Sequence, residues 1–166
     1  MIAAQQLDVA GYISVAGAGR SFYTILQDQL SQQLPEEMLQ STMAKLDSIK
    51  NGYTVTTYSP MLGSLLRESV QPYLREMMSY QPSSEISKVE VPVLILQGGS
   101  DLQITEEDAN TLYNARPEST YHLYPEMNHV LKRVQSEEEN KASYTDPDFP
   151  LDFNISADIA SWIERQ

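Results

Sequence analysis

One apolar segment limits the folds open to this chain more than any other feature. Residues 91–96 read VPVLIL, and the glycines Gly98 and Gly99 follow directly after Gln97. Four apolar residues in a row after a proline predict a strand buried on both faces, and such strands belong to parallel sheets covered by helices. Pro92 stands at the start of the strand, where a missing N–H is tolerated. The segment therefore predicts an α/β fold.

Two further segments fit the same sheet. Residues 9–16 end at a Gly-Ala-Gly turn, and residues 120–124 end at Pro125. Helical patterns separate the three strands, and such alternation is typical of a parallel sheet with right-handed crossovers. We therefore predict an α/β protein of about three parallel strands with flanking helices.

The helices are predicted from capping signals and apolar spacing. Pro35 with two following glutamates opens one helix, and Thr105 to Asp108 forms a capping box that opens another, through Tyr113. The apolar positions between residues 62 and 78 continue on both sides of Pro72, which predicts a kink or two short helices there. A last helix presents apolar residues between Ile155 and Ile163.

The long helical block suggests three parts of the chain. Residues 1–20 begin the core, residues 21–85 are too long for a simple crossover, and residues 86–166 complete the core. We predict that the middle part is a helical lid inserted over one end of the sheet.

Composition excludes several classes of function. The net charge of -12 argues against binding to nucleic acid or to an anionic membrane, because both need clusters of Lys and Arg. The absence of cysteine removes disulfides and thiolate metal sites. No segment has the length of a transmembrane helix, and the first residues lack the basic start of a signal peptide. We therefore expect a cytoplasmic protein that binds neither nucleic acid nor membranes.

Two residues are placed for chemistry. Asp101 follows the central strand and His129 follows the last strand, and ligands of α/β sheets bind at the carboxyl ends of strands. An aspartate that accepts from one imidazole nitrogen leaves the other nitrogen to act as a base. Either residue could instead be a structural loop residue, Asp101 as a helix cap. His122 lies within the last strand, where a core or surface role is expected.

Other candidates have plainer interpretations. Arg20 could bind a substrate carboxylate, but an ion-paired or solvated role at a strand end is expected. The turn at residues 17–19 lacks the continuation of a phosphate-binding loop. The three glutamates at 137–139 could suggest a metal, but a solvated acidic loop is the default interpretation.

The two loops and their strands resemble a known family. Residues 91–101 and residues 125–132, PEMNHVLK, resemble the C-terminal half of α/β-hydrolases, and most closely the bacterial serine-aminopeptidase- or lysophospholipase-like enzymes. Residues 17–20 resemble the stretch that enters the lid of that family, and residues 69–74 resemble a lid helix. The resemblance implies that Asp101 is the acid and His129 the base of a catalytic triad. It implies no metal and no organic cofactor.

One departure from the family concerns the nucleophile. The family carries its serine in a Gly-x-Ser-x-Gly elbow upstream of the acid and the base. No pair of glycines in this chain brackets a serine in that way, and the nearest imitation, residues 98–102, lacks the second glycine. Residues 1–6 resemble the middle of the helix that follows the elbow. The resemblance therefore implies that the serine, the upstream strands and the oxyanion loop are missing from this sequence.

Two functional hypotheses remain. The chain is either the C-terminal half of a serine hydrolase acting on small ester or amide substrates, inactive alone, or a non-catalytic α/β module that self-associates. In both cases the strand at residues 9–16 would have one unpaired edge, and unpaired edges are templates for another strand. We therefore predict a homodimer, or a larger even-numbered assembly, joined through this strand. The alternative is a monomer in which residues 1–7 or a lid helix cover the edge.

Overall fold

The computed structural model describes residues Met1–Gln166 and contains three strands and nine α-helices. The strands are β1 (Tyr12–Val15), β2 (Val93–Gly98) and β3 (Thr120–Tyr124). The helices are α1 (Ile2–Gln6), α2 (Phe22–Gln33), α3 (Glu36–Lys50), α4 (Gly63–Leu66), α5 (Gln71–Ser79), α6 (Pro82–Ile86), α7 (Glu106–Ala115), α8 (Glu137–Ser143) and α9 (Phe153–Ile163), with a 3₁₀ turn at Pro60–Leu62. None of the helices is both long enough and apolar enough to cross a membrane.

The chain divides into two compact units, one formed by Met1–Gly19 with Pro82–Gln166 and the other by Arg20–Gln81. The sequence predicts a helical insertion at residues 21–85, and α6 belongs to the unit that contains the sheet. The role of the insertion as a lid stays a prediction.

The first unit is built on a parallel sheet in the order β1-β2-β3. Tyr12 is paired with Val93 across β1 and β2, and Leu94 is paired with Thr120 across β2 and β3. This arrangement confirms the predicted α/β class with three parallel strands and flanking helices. β1 is shorter than the predicted segment of residues 9–16.

The central strand is buried on both faces, as its apolar run predicted. All six residues of β2 are buried. Ile95 packs in a cluster with Leu112 of α7, and Leu96 packs in a second cluster with Trp162 of α9. Burying a leucine or isoleucine side chain contributes about 1.5–3 kcal/mol, so this strand holds the two helices against the sheet.

The second unit is helical. Its core consists of buried apolar side chains from α2 to α5 and the 3₁₀ turn, including Leu46, Ile49, Leu66, Leu74 and Met78. The helical pattern divides as predicted, but the break lies at residues 67–70 and not at Pro72. Pro72 occupies the first turn of α5. A backbone N–H at this position would have no partner within the helix, so a proline loses no helical hydrogen bond there.

The acidic segment at residues 137–139 is helical, and its interpretation as a loop was wrong. These three glutamates form the first turn of α8, and Ser136 caps the helix by accepting from the Glu139 N–H at 3.1 Å. Acidic side chains in a first turn interact favourably with the positive end of the helix dipole. The helix escaped detection because it buries the polar residues Asn140 and Ser143, so it shows no apolar period.

Candidate active site

The carboxyl ends of β2 and β3 bring Asp101 and His129 together. His129 Nδ1 lies 2.9 Å from Asp101 Oδ2, although 28 residues separate the two in sequence. The Asp101 side chain is completely buried, whereas 30% of the His129 side chain is exposed. The pair therefore presents a buried carboxylate behind an imidazole that solvent can reach.

The two loops that carry the pair are joined along their backbones. The Gly99 N–H donates to the Tyr124 carbonyl at 2.8 Å, and the Ser100 N–H donates to the Met127 carbonyl at 3.0 Å. A Cβ on Gly99 would lie only 2.8 Å from the Pro125 carbonyl oxygen. Gly99, directly after β2, is therefore required because the two loops approach too closely at this point for a side chain.

The Asp101 carboxylate has a defined partner on each oxygen. Oδ1 accepts from the backbone N–H groups of Gln103 and Ile104, at 2.8 and 2.9 Å. Oδ2 is left to accept from His129. Buried Gln97 supports the same loop by donating to the Ile104 carbonyl at 2.8 Å. These bonds hold the carboxylate in one orientation. Gln97 was not singled out in the sequence because it directly follows the apolar run of β2.

His129 is placed to accept a proton at its second nitrogen. The hydrogen bond to Asp101 raises the pKa of His129 above its ordinary value, partial burial of the ring opposes this, and the Asp101 charge adds to the increase. With Nδ1 facing Asp101, Nε2 has no protein partner. An imidazole held in one tautomer with a free second nitrogen is suited to general acid–base chemistry.

The turn that carries His129 is organised by its neighbour Asn128. The Asn128 side chain is fully buried, and its Oδ1 accepts from the N–H groups of Val130 and Lys132 at 3.1 and 3.0 Å. Within this turn Leu131 adopts a φ of 62°, a conformation that is uncommon for residues other than glycine. Asn128 thus stabilises a strained turn next to the histidine.

Several other residues that the sequence singled out lie outside this pair. Arg20 forms an ion pair with Asp28 at 2.6 Å, in line with its plainer interpretation. The glutamates at 137–139 are exposed, and no group of three or more His, Asp or Glu side chains could hold a metal ion. The Gly19 N–H donates to the buried carboxylate of Asp108 at 3.1 Å, so this turn binds a side chain of the protein itself.

His122 lies beside a separate cavity. This cavity of about 580 Å³ is lined by polar side chains that include His122, Tyr124 and Asp158, but not by Asp101 or His129. The Tyr124 hydroxyl donates to Asp158 at 2.7 Å, and burial together with this bond raises the pKa of Tyr124 above its ordinary value. Because neither residue of the acid–base pair lines it, the cavity is not part of the candidate site.

The fold and the pair define an α/β protein with a buried aspartate behind a partly exposed histidine at the carboxyl edge of a parallel sheet. No protein-family model matches the chain. No curated protein matches it in sequence.

Solved structures that are similar to the chain include an esterase, a deformylase and a serine hydrolase. An esterase from Rhodococcus sp. is 13% identical, with 94% of this chain and 56% of the esterase covered and a TM-score of 0.39. A deformylase from Pseudomonas putida is 11% identical, with 87% and 60% covered and a TM-score of 0.39. A serine hydrolase involved in carbazole degradation is 16% identical, with 82% and 53% covered and a TM-score of 0.34. The chain thus spans little more than half the length of these proteins.

Proposed function

We propose that this chain supplies the acid and the base of a serine hydrolase that acts on small ester or amide substrates. The observation that carries the proposal is the 2.9 Å contact between a fully buried Asp101 carboxylate and His129, whose Nε2 has no protein partner. This arrangement leaves one nitrogen available for proton transfer.

In the proposed reaction a serine from outside these 166 residues attacks the substrate carbonyl. His129 Nε2 accepts the proton of the serine hydroxyl and then donates it to the leaving group. Asp101 keeps His129 in the required tautomer and stabilises the imidazolium while it exists. Because the chain contains no Gly-x-Ser-x-Gly elbow, we propose that it is inactive on its own.

The test begins with the DNA upstream of Met1. If the reading frame continues into a Gly-x-Ser-x-Gly segment, the longer protein is expressed and assayed with p-nitrophenyl esters and a fluorophosphonate probe. We expect His129→Ala to lower kcat about a million-fold and Asp101→Asn to lower it about ten-thousand-fold, as in other triads.

The matched control is His122→Ala, since His122 is the one other histidine of the chain. It should leave kcat close to that of the unaltered protein. A His129→Ala variant that retains kcat within tenfold of the unaltered protein would contradict the proposal. A stop codon immediately upstream would instead favour the second candidate function.

The second candidate is a non-catalytic module that self-associates, and the free edge of β1 favours it. β1 lies at one end of the sheet and pairs only with β2. The N–H groups of Tyr12 and Ala16 donate to the carbonyls of Pro92 and Leu96, on the side of β2. Because successive residues of a strand direct their backbone groups to opposite sides, the N–H and carbonyl groups of Ile13 point away from β2. We propose that this edge pairs with its copy in a two-fold homodimer, the closed solution for identical chains.

A further inference from the structure

A short helix links the two loops of the candidate site through polar side chains. Asn140 of α8 is only 4% exposed, and its Nδ2 donates to the Ser100 carbonyl at 2.8 Å. Its Oδ1 accepts from Asn128 Nδ2 at 3.0 Å. Ser100 precedes Asp101, and Asn128 precedes His129. We propose that Asn140 is a positioning residue that fixes the distance between the loop that carries Asp101 (the Asp101 loop) and the loop that carries His129 (the His129 loop). This role rests on the proposed function of the pair.

The direction of each bond follows from the backbone. Because the N–H groups of Val130 and Lys132 can only donate, the Asn128 atom facing them must be its oxygen. The Asn128 Nδ2 then faces Asn140, so the Asn140 atom that meets it must be Oδ1. The remaining Asn140 Nδ2 faces the Ser100 carbonyl, which can only accept. The two amides therefore have a single consistent orientation from one loop to the other.

The helix itself is anchored to the His129 loop. Ser143, fully buried on the same helix, accepts from Asn128 Nδ2 at 2.7 Å and donates to the Asn140 carbonyl at 2.8 Å. Lys132 donates from Nζ to the Ser143 carbonyl at 2.8 Å and to the Asp146 carbonyl. A cation on the last carbonyls of a helix is favourable for the dipole as well. Asn140 thus reaches Ser100 from a helix whose position is set by the loop that carries His129.

The consequence for the pair is geometric. The Asp101 loop and the His129 loop both extend beyond the ends of their strands, and the His129 turn contains the left-handed Leu131. A side-chain bridge of buried hydrogen bonds restricts how far the two loops can move apart. A charge-assisted hydrogen bond is sensitive to such movement, so the pKa of His129 reports whether the bridge matters.

The test uses the chain as given and needs no turnover. The pKa of His129 is measured by NMR titration of its Cε1–H in the unaltered protein, in Asn140→Ala, in Ser136→Ala and in Asp101→Asn. We expect Asn140→Ala to lower the His129 pKa by at least half of the decrease that Asp101→Asn causes. Ser136→Ala is the matched control, because it removes the capping hydrogen bond to Glu139 from the same helix without touching Ser100 or Asn128. It should leave the His129 pKa unchanged.

The outcomes separate this inference from the proposed function. If Asp101→Asn leaves the His129 pKa unchanged, the acid–base pair itself is wrong. If Asp101→Asn lowers it but Asn140→Ala does not, or if Ser136→Ala lowers it as much as Asn140→Ala does, the positioning role of Asn140 is wrong. Should Asn140→Ala fail to fold by circular dichroism, Asn140→Ser carries the test, because its shorter side chain stays polar but cannot reach both loops. The same decrease in the His129 pKa is then expected.

Discussion

The backbone of Gly98 lies against the backbone of Met127 so closely that a Cβ on Gly98 would be 2.1 Å from the Met127 carbonyl oxygen and 2.8 Å from its carbonyl carbon. Both neighbouring atoms belong to the main chain, so no side-chain rotation can make room. Gly98 ends β2, and Met127 lies two residues before His129. The contact therefore determines how closely the His129 loop approaches the Asp101 loop.

Gly98→Ala should destabilise the protein, because the added methyl group must push two backbone segments apart. We expect a loss of about 1–3 kcal/mol or more in the free energy of unfolding, measured by urea denaturation. Gly63→Ala is the control, since Gly63 has a helical φ of -60° and its nearest neighbour, Tyr58, is 4.0 Å away. That variant should be more stable by about 0.4–1 kcal/mol. Equal stability of the Gly98→Ala variant and the unaltered protein would contradict the close approach.

The contribution of the acid–base pair to stability should depend on pH. The hydrogen bond to Asp101 raises the folded pKa of His129 above its unfolded value, so folding takes up protons over that interval. The stabilisation is fully present below the unfolded pKa, about 6.5, and is lost as pH rises through the folded pKa. Urea denaturation across this range should show the unaltered protein losing stability with pH relative to Asp101→Asn. His129→Asn should remove this dependence. Parallel pH profiles for the unaltered protein and Asp101→Asn would exclude the pairing.

The chain by itself should show no serine-hydrolase activity. Removing the nucleophile of a triad lowers kcat about a million-fold, and the residual rate depends on an oxyanion hole and on substrate binding. Incubation with a fluorophosphonate should leave the protein unlabelled, and p-nitrophenyl ester hydrolysis should match buffer. A commercial serine esterase serves as the positive control. Stoichiometric labelling together with turnover above buffer would show that this chain contains an active nucleophile.

Self-association through β1 should appear as a homodimer in size-exclusion chromatography with light scattering. Each unmade backbone hydrogen bond that becomes buried costs about 1–3 kcal/mol, so the free edge of β1 is better paired with another strand than covered by apolar groups. Ile13→Lys places a charge at this edge and should shift the dimer to monomer, because edge charges oppose strand pairing. His122→Lys adds the same charge to the exposed part of β3 and should leave the dimer intact. A monomer at micromolar concentration for the unaltered protein would mean that the edge of β1 stays unpaired.

Local patterns in the sequence were sufficient for the strands and for most helices. The apolar run before Gly98 predicted a strand buried on both faces because only a central strand excludes water from every side chain. The capping signals at Thr105 and Pro35 predicted the starts of α7 and α3. A threonine side chain accepts from an N–H group of the first helical turn, and a proline has no N–H group that needs a partner. These features depend on neighbours within a few residues, so the sequence contains them directly.

Pairing between distant residues was predictable only where strand order supplied the geometry. Asp101 and His129 each follow a strand, and adjacent parallel strands end at the same edge of a sheet. That relationship, together with the family resemblance, was sufficient to predict their proximity. It was not sufficient to predict that His129 is partly exposed while Asp101 is fully buried, which depends on the packing of both loops.

The sequence by itself thus determined the α/β class, the three strands and the two residues of the candidate pair. Only the tertiary structure decided which polar residues support that pair. Asn140 and Ser143 resemble surface residues in an acidic, hydrophilic segment, but both are buried because Asn128 and the Ser100 carbonyl satisfy their hydrogen-bonding groups. A buried polar residue is stable only when specific partners surround it, and those partners come from loops that are 12 and 40 residues away in sequence. No local pattern contains that information, because the partners meet only after the sheet has brought both loops to one edge.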